Sequence, residues 1–134
     1  MSILGVLSRF TFIYIVLIIT VGLALNYFGI GINGGVNIGI LVGTIFWVCS
    51  SFAKRNGRYF DESEKIKVVA GFIIINIAIQ GVFGAIALVG SGKEVSGSIL
   101  LFSVGFVGLL HAVAIYFSVG IVKKSLLKQG LINS

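Results

Sequence analysis

The chain contains no proline, one cysteine, one histidine and only four acidic residues. A lone cysteine cannot close an internal disulfide, and with a single histidine it makes a poor metal set. Cys49 falls near the end of an apolar run, where a buried, unreactive thiol is expected. Charge is scarce in general: 10% of the residues are charged and 57% are hydrophobic. A soluble domain carries about 25% charged residues, because its surface must be covered by groups that water accepts. A single 134-residue domain with this deficit has lipid as its main solvent.

The positions of the charges sharpen this reading. None occurs from Phe10 to Ala53, from Val68 to Gly92 or from Val95 to Val122. A membrane helix needs about 20 apolar residues to cross a hydrocarbon layer of about 30 Å. The second and third stretches each supply one span. The first supplies two, broken at Gly29-Ile30-Gly31-Ile32-Asn33-Gly34-Gly35, where glycine lowers helix propensity and Asn-Gly favours a turn. The prediction is an all-α membrane protein, a four-transmembrane-helix bundle with spans near 10–28, 37–54, 66–89 and 97–122.

Net charge is +6, and its distribution points to topology rather than to nucleic acid. Arg9 precedes span one. Lys54, Arg55, Arg58, Lys65 and Lys67 lie in the predicted loop 54–67, and Lys123, Lys124 and Lys128 follow span four. Only Lys93 lies on the other side. By the positive-inside rule both termini are expected in the cytoplasm (N-in/C-in), and the setting is a bacterial inner membrane. Arg9 and the small residues Gly22-Leu23-Ala24 also resemble the parts of a cleaved signal peptide. The apolar run is longer than an h-region and continues to Phe28, which favours a retained span.

Several features carry possible chemistry. Gly35, Gly39 and Gly43 recur every four residues and form a smooth strip on one helix face. Contact with a neighbouring span of the same chain is the plainer expectation; a subunit interface or pore wall is the functional one. In the charged loop, Asp61 and Glu64 have the spacing of a capping box, with Arg58 close enough to pair. That pattern reads as a helix start beside a basic anchor before it reads as a docking or gating site. In span three, Asn76 and Gln80 share a stripe with Gly84 and Ala87 that should face the bundle, as interhelical bonding groups or as a polar lining. His111 is expected near the middle of span four, roughly 16 Å from its cytoplasmic end, with Gly108, Ile115 and Ser118 beside it. An ionisable residue at that depth is a functional candidate by default. No acidic partner exists in the membrane, so a neutral imidazole bonded to Asn76 or Gln80 is the competing reading.

No catalytic set emerges. Asp61, Glu62, Glu64 and Glu94 all lie outside the spans, far from His111, and no triad is available. There is no phosphate-binding loop and no intramembrane glutamate of the kind that drives small proton-coupled exporters. An enzyme, a cofactor and a nucleic-acid partner are not expected.

The charged loop and tail resemble a family of small four-span bacterial membrane proteins of unknown function, the ABZJ-type family. The resemblance rests on Arg58, Glu64 and Lys65 leading into span three, on Tyr116-Phe117-Ser118 with Gly120, and on Lys123-Lys124 with the Leu127-Lys128 and Gly130 tail. Members carry a proline and a threonine after the arginine, where Tyr59-Phe60-Asp61 stand here. The resemblance implies the four-span architecture and no activity. The expected role is an interaction or structural component binding another membrane protein or itself, as immunity proteins against pore-forming bacteriocins and accessory subunits do. The alternative is a transporter or channel subunit with a polar path at His111, Asn76 and Gln80. A lipid-carrier flippase accessory is a third.

Overall fold

The computed structural model describes the chain except Ile32, Lys93 and Ser134. The position expected to carry the lone basic residue of the opposite side, Lys93, thus lies outside the described residues. Four helices form nearly everything else: α1 (Ile3–Tyr27), α2 (Gly34–Asn56), α3 (Glu62–Ser91) and α4 (Gly97–Lys128). All four are long and apolar enough to cross a membrane.

Each helix begins at a residue whose side chain satisfies an otherwise free backbone N–H group. Ser2 accepts from Gly5 N, Asn33 from Val36 N, Asp61 from Glu64 N and Ser96 from Ile99 N. Two helices stop where glycine turns the backbone left-handed: Gly57 at φ +65° ends α2, and Gly92 at φ +63° ends α3.

The helices run past the expected spans, and the predicted loop 54–67 shrinks to residues 57–61. Lys54 and Arg55 belong to the last turn of α2, where their charge complements the helix dipole. Lys65 and Lys67 ride on α3 because the cap at Asp61 starts that helix early.

Helix α1 packs on α2 and α3, and α4 packs on the same two, while α1 and α4 do not meet and neither do α2 and α3. The sequence-adjacent pair α2 and α3 therefore lies on a diagonal of the bundle. Their five-residue connection must cross the end of the bundle, and it carries two buried aromatics across with it. Phe60 stacks on Phe52 at a centroid distance of 4.2 Å and meets Tyr59 edge-on at 4.8 Å. The Tyr59 hydroxyl donates to the Val119 carbonyl of α4 at 2.7 Å. The Met1 ammonium and the Asn56 amide bond one another at the same end, and Asn56 Nδ2 donates to Met1 O at 3.0 Å.

The core is concentrated toward this terminal end. Phe10 of α1 stacks on Phe72 of α3 with centroids 4.2 Å apart, next to Tyr14. Leu41, Ile45, Val48, Cys49 and Phe52 of α2 and Ile115, Val119 and Val122 of α4 fill the remaining interior, where α2 packs on α4. Cys49 is a free, fully buried thiol, as its sequence position indicated. Helix α3 comes within close reach of α1 at Gly71, where an added Cβ would meet Leu7 Cδ2 at 2.5 Å. Beyond the middle the packing thins: α1 buries nothing after Tyr14, α3 nothing after Ile79, and α4 nothing before Gly108. The far half is open, and its apolar side chains suit lipid.

Tyr59→Phe removes a hydrogen bond whose acceptor stays buried. A stability loss of about 1 kcal/mol is expected, read from unfolding in mixed micelles. Phe60→Ala, which also empties a stacked site, should lose about 3 kcal/mol or more in the same assay.

Candidate functional site

The three polar residues singled out within the spans are brought together. Gln80 Nε2 donates to Asn76 Oδ1, one helical turn away, at 2.9 Å. It also reaches His111 Nδ1 on α4 at 2.5 Å. An amide nitrogen can only donate, so Nδ1 accepts, which makes the ring neutral with its proton on Nε2. Asn76 and His111 are buried, while Gln80 is half-buried. The inward stripe of α4 is Gly108, His111, Ile115 and Ser118, as the helical spacing indicated. Gly108 lets Ile77 of α3 approach beside His111, since an added Cβ would sit 3.3 Å from Ile77 Cγ1.

Two further members were not foreseen. Tyr14 of α1 donates to Asn37 Oδ1 of α2 at 3.4 Å, and Asn37 and Gln80 wall the same cleft. All four helices thus contribute to one polar layer. Asn37 could have been found as the only amide in the second predicted span. Tyr14 gave no such signal, because a tyrosine in an apolar run reads as core.

The layer sits at the boundary between the packed and the open halves. A cleft of about 400 Å³ begins there, walled by Ile18 of α1, Asn37 and Ile40 of α2, and Gln80, Phe83 and Gly84 of α3. The Gln80–Gly84–Ala87 stripe does face inward, but into this cleft rather than into a close-packed neighbour. Among the described residues, Asn76 Nδ2 has no hydrogen-bond partner. An amide proton left unbonded in a buried site costs about 1–3 kcal/mol, so the layer is polar beyond what its own bonds need.

No protein-family model, curated protein or solved structure matches the chain. The chemistry of the site therefore stands on its residues. Donors and acceptors are present, but among the described residues none is a nucleophile paired to a base. The acids lie at the helix ends or in the connections, away from His111.

The glycine strip departs from the expected contact with a neighbouring span. Added Cβ atoms at Gly39 and Gly43 would meet nothing within 4 Å, and at Gly35 only the Asn33 side chain of the same turn, at 3.3 Å. The reason is rotational. Helix α2 buries Leu41, Thr44, Ile45 and Val48, and Leu41 and Ile45 lie about 200° around the axis from Gly39 and Gly43. The strip, continued by exposed Trp47, faces outward.

At the charged connection the capping box is complete. Asp61 Oδ1 accepts from Glu64 N at 2.8 Å, and Glu64 Oε2 accepts from Asp61 N at 3.1 Å. Arg58 grips the same carboxylate with both terminal nitrogens, at 2.6 and 2.9 Å. It also donates to Tyr59 O at 3.2 Å and lies over the Phe52 ring. Arg58, Asp61 and Glu64 are all engaged in holding the turn, which is the structural reading of the motif. The Arg58 guanidinium first, and the Asp61 N–H with it, hold the Glu64 carboxyl at about 2, below its ordinary value of 4.5.

A depressed carboxylate stabilises the fold fully above its unfolded pKa, and the effect fades as pH falls toward its folded value. The Glu64 contribution to thermal stability, read as the difference between the parent chain and Glu64→Gln, should therefore be flat from pH 7 to 5 and decline between about pH 4.5 and 2. Glu64→Gln should melt lower at pH 7 and show a shallower decline, both read from melting curves across that range.

Proposed function

We propose that this chain is a small multi-pass protein of a bacterial inner membrane that acts by binding another membrane protein. It is not an enzyme in this reading; it is an immunity-like component or an accessory subunit. The observation that carries the reading is the outward face of α2. Gly39 and Gly43 leave a smooth surface where an added Cβ would meet none of the described residues within 4 Å. Lipid offers no hydrophobic force between helices, so association in a bilayer relies on close backbone approach at such small residues.

This reading puts both termini in the cytoplasm; what supports it is the positive-inside rule, since Arg9, the basic residues around the α2–α3 connection and the lysines after Val122 share one end. Membership of the ABZJ-type family is proposed on the loop and tail residues that resemble it. A photo-crosslinking residue at position 43, in cells, is expected to give a protein adduct that one at Leu101 does not. Lipid adducts alone at both positions would sink the reading. A second copy as the trapped partner would keep it as self-association.

One observation favours a second reading, a transporter or channel subunit. Gln80 ties Asn76 to His111 at the wall of a cleft, and Asn76 keeps an unspent donor. The stacked Phe10 and Phe72 lie on the terminal side of this layer, so passage needs a change in their packing. This reading expects the cleft to be wet. Gly84→Cys should then react with a membrane-impermeant maleimide at least about tenfold faster than Leu101→Cys, which faces outward at similar depth; equal protection of the two would exclude it.

A further inference from the structure

A second site, separate from the polar layer and from the glycine strip, lies between α3 and α4 at the terminal end. A small pocket of about 160 Å³ is formed by Lys65, Tyr116, Phe117, Gly120, Ile121 and Lys124. A larger groove of about 430 Å³ shares Lys65 and Tyr116 with it and continues along Ile66, Val69, Ala70 and Ile73 of α3. The two are therefore continuous, basic at one end and apolar at the other. Lys65 is half-buried, and its ammonium lies over the Tyr116 ring, 5.4 Å from the centroid. That contact holds the charge at the junction instead of leaving it free in solution. Lys124 closes the small pocket from α4, and no acid lines it. Glu62 stands at the rim of the larger groove. Gly120 leaves the pocket floor open, since an added Cβ there would meet nothing within 4 Å.

We propose that this groove binds one molecule of an anionic glycerophospholipid, with phosphatidylglycerol as the type. The phosphate oxygens accept from Lys65 and Lys124 in the small pocket. A hydroxyl of the headgroup donates to Glu62, and one acyl chain lies along the Ile66–Ile73 strip, about 10 Å of helix. A free phosphate would satisfy the lysines but would leave the apolar groove without an occupant. A choline headgroup would bring a fixed cation to a pocket framed by two lysines. Basic pockets between helices near the membrane surface select lipids on this basis.

Native mass spectrometry of the purified full chain, with phosphatidylglycerol or phosphatidylcholine added in detergent, tests the site. Phosphatidylglycerol should be retained at one per chain in clear preference. Lys65→Gln and Lys124→Gln should each lower its retention about fivefold, the effect of one lysine near an anionic surface. Lys67→Gln, which removes the same charge from another face of α3, should leave retention unchanged. Gly120→Leu fills the pocket without touching the packed interior and should abolish retention while helical content is kept. Equal retention of the two lipids would overturn the proposal. So would equal losses in all three lysine variants, which would reveal diffuse attraction, or displacement of the lipid by millimolar inorganic phosphate. Should Gly120→Leu fail to fold, the lysine series decides alone.

Discussion

Four apolar helices in a bilayer have no hydrophobic reason to meet, because lipid is as good a neighbour as another leucine. Something must pin them, and in this chain it is the crossing of the bundle end by residues 57–61. With α2 and α3 on a diagonal, so short a connection cannot run along the edge of the bundle. It passes beneath the helices and inserts Tyr59 and Phe60, one bonded to α4 and the other stacked on α2. Arg58 and the capping box then fix where α3 begins. The Met1–Asn56 bonds hold α1 to the end of α2. Burial raises the Tyr59 pKa well above that of an ordinary tyrosine, so the donor of the Val119 bond keeps its proton.

Pinning at one end explains the shape of the rest. Close packing extends from the crossing as far as the stacked aromatics Phe10, Tyr14 and Phe72 and the first polar layer. Past that layer the residues offered for packing become small: Gly81, Gly84, Ala85, Ala87 and Gly90 on α3, and Gly97 and Gly105 on α4. Small residues permit close approach but supply little surface to hold it, and here no helix of the chain comes near most of them. The polar layer closes the packed half. Gln80 spends its amide protons on Asn76 and His111, and a neutral histidine serves as acceptor where no acid is present to hold an imidazolium.

The helices, their order and the breaks between them were legible because each rests on a local signal. Uncharged runs set the spans, and Asp61 with Glu64 set the start of α3. The 3.6-residue period put Gly108, His111, Ile115 and Ser118 on one face. The convergence of Asn76, Gln80 and His111 was foreseeable from stripe geometry and the scarcity of other partners. What could not be read was pairwise placement. Nothing local says that α2 and α3 lie on a diagonal, so the insertion of Tyr59 and Phe60, the partnership of Tyr14 with Asn37, and the groove joining Lys65 to Lys124 were all invisible. Each depends on which helices are neighbours.

The glycines show the same limit most sharply. Gly71 and Gly39 both interrupt apolar helical sequence, and each lowers intrinsic helix propensity by about 1 kcal/mol relative to alanine. At Gly71 that loss has a counterpart, because α1 comes close enough for Leu7 to occupy the space a side chain would need. At Gly39 and Gly43 no element of the chain comes close. Rotating α2 to bring the strip inward would expel Leu41 and Ile45 from the core, so the chain cannot use both faces at once. A strip that its own fold cannot cover is open to a helix from outside. That is the physical content of the proposal that this protein takes a partner in the membrane.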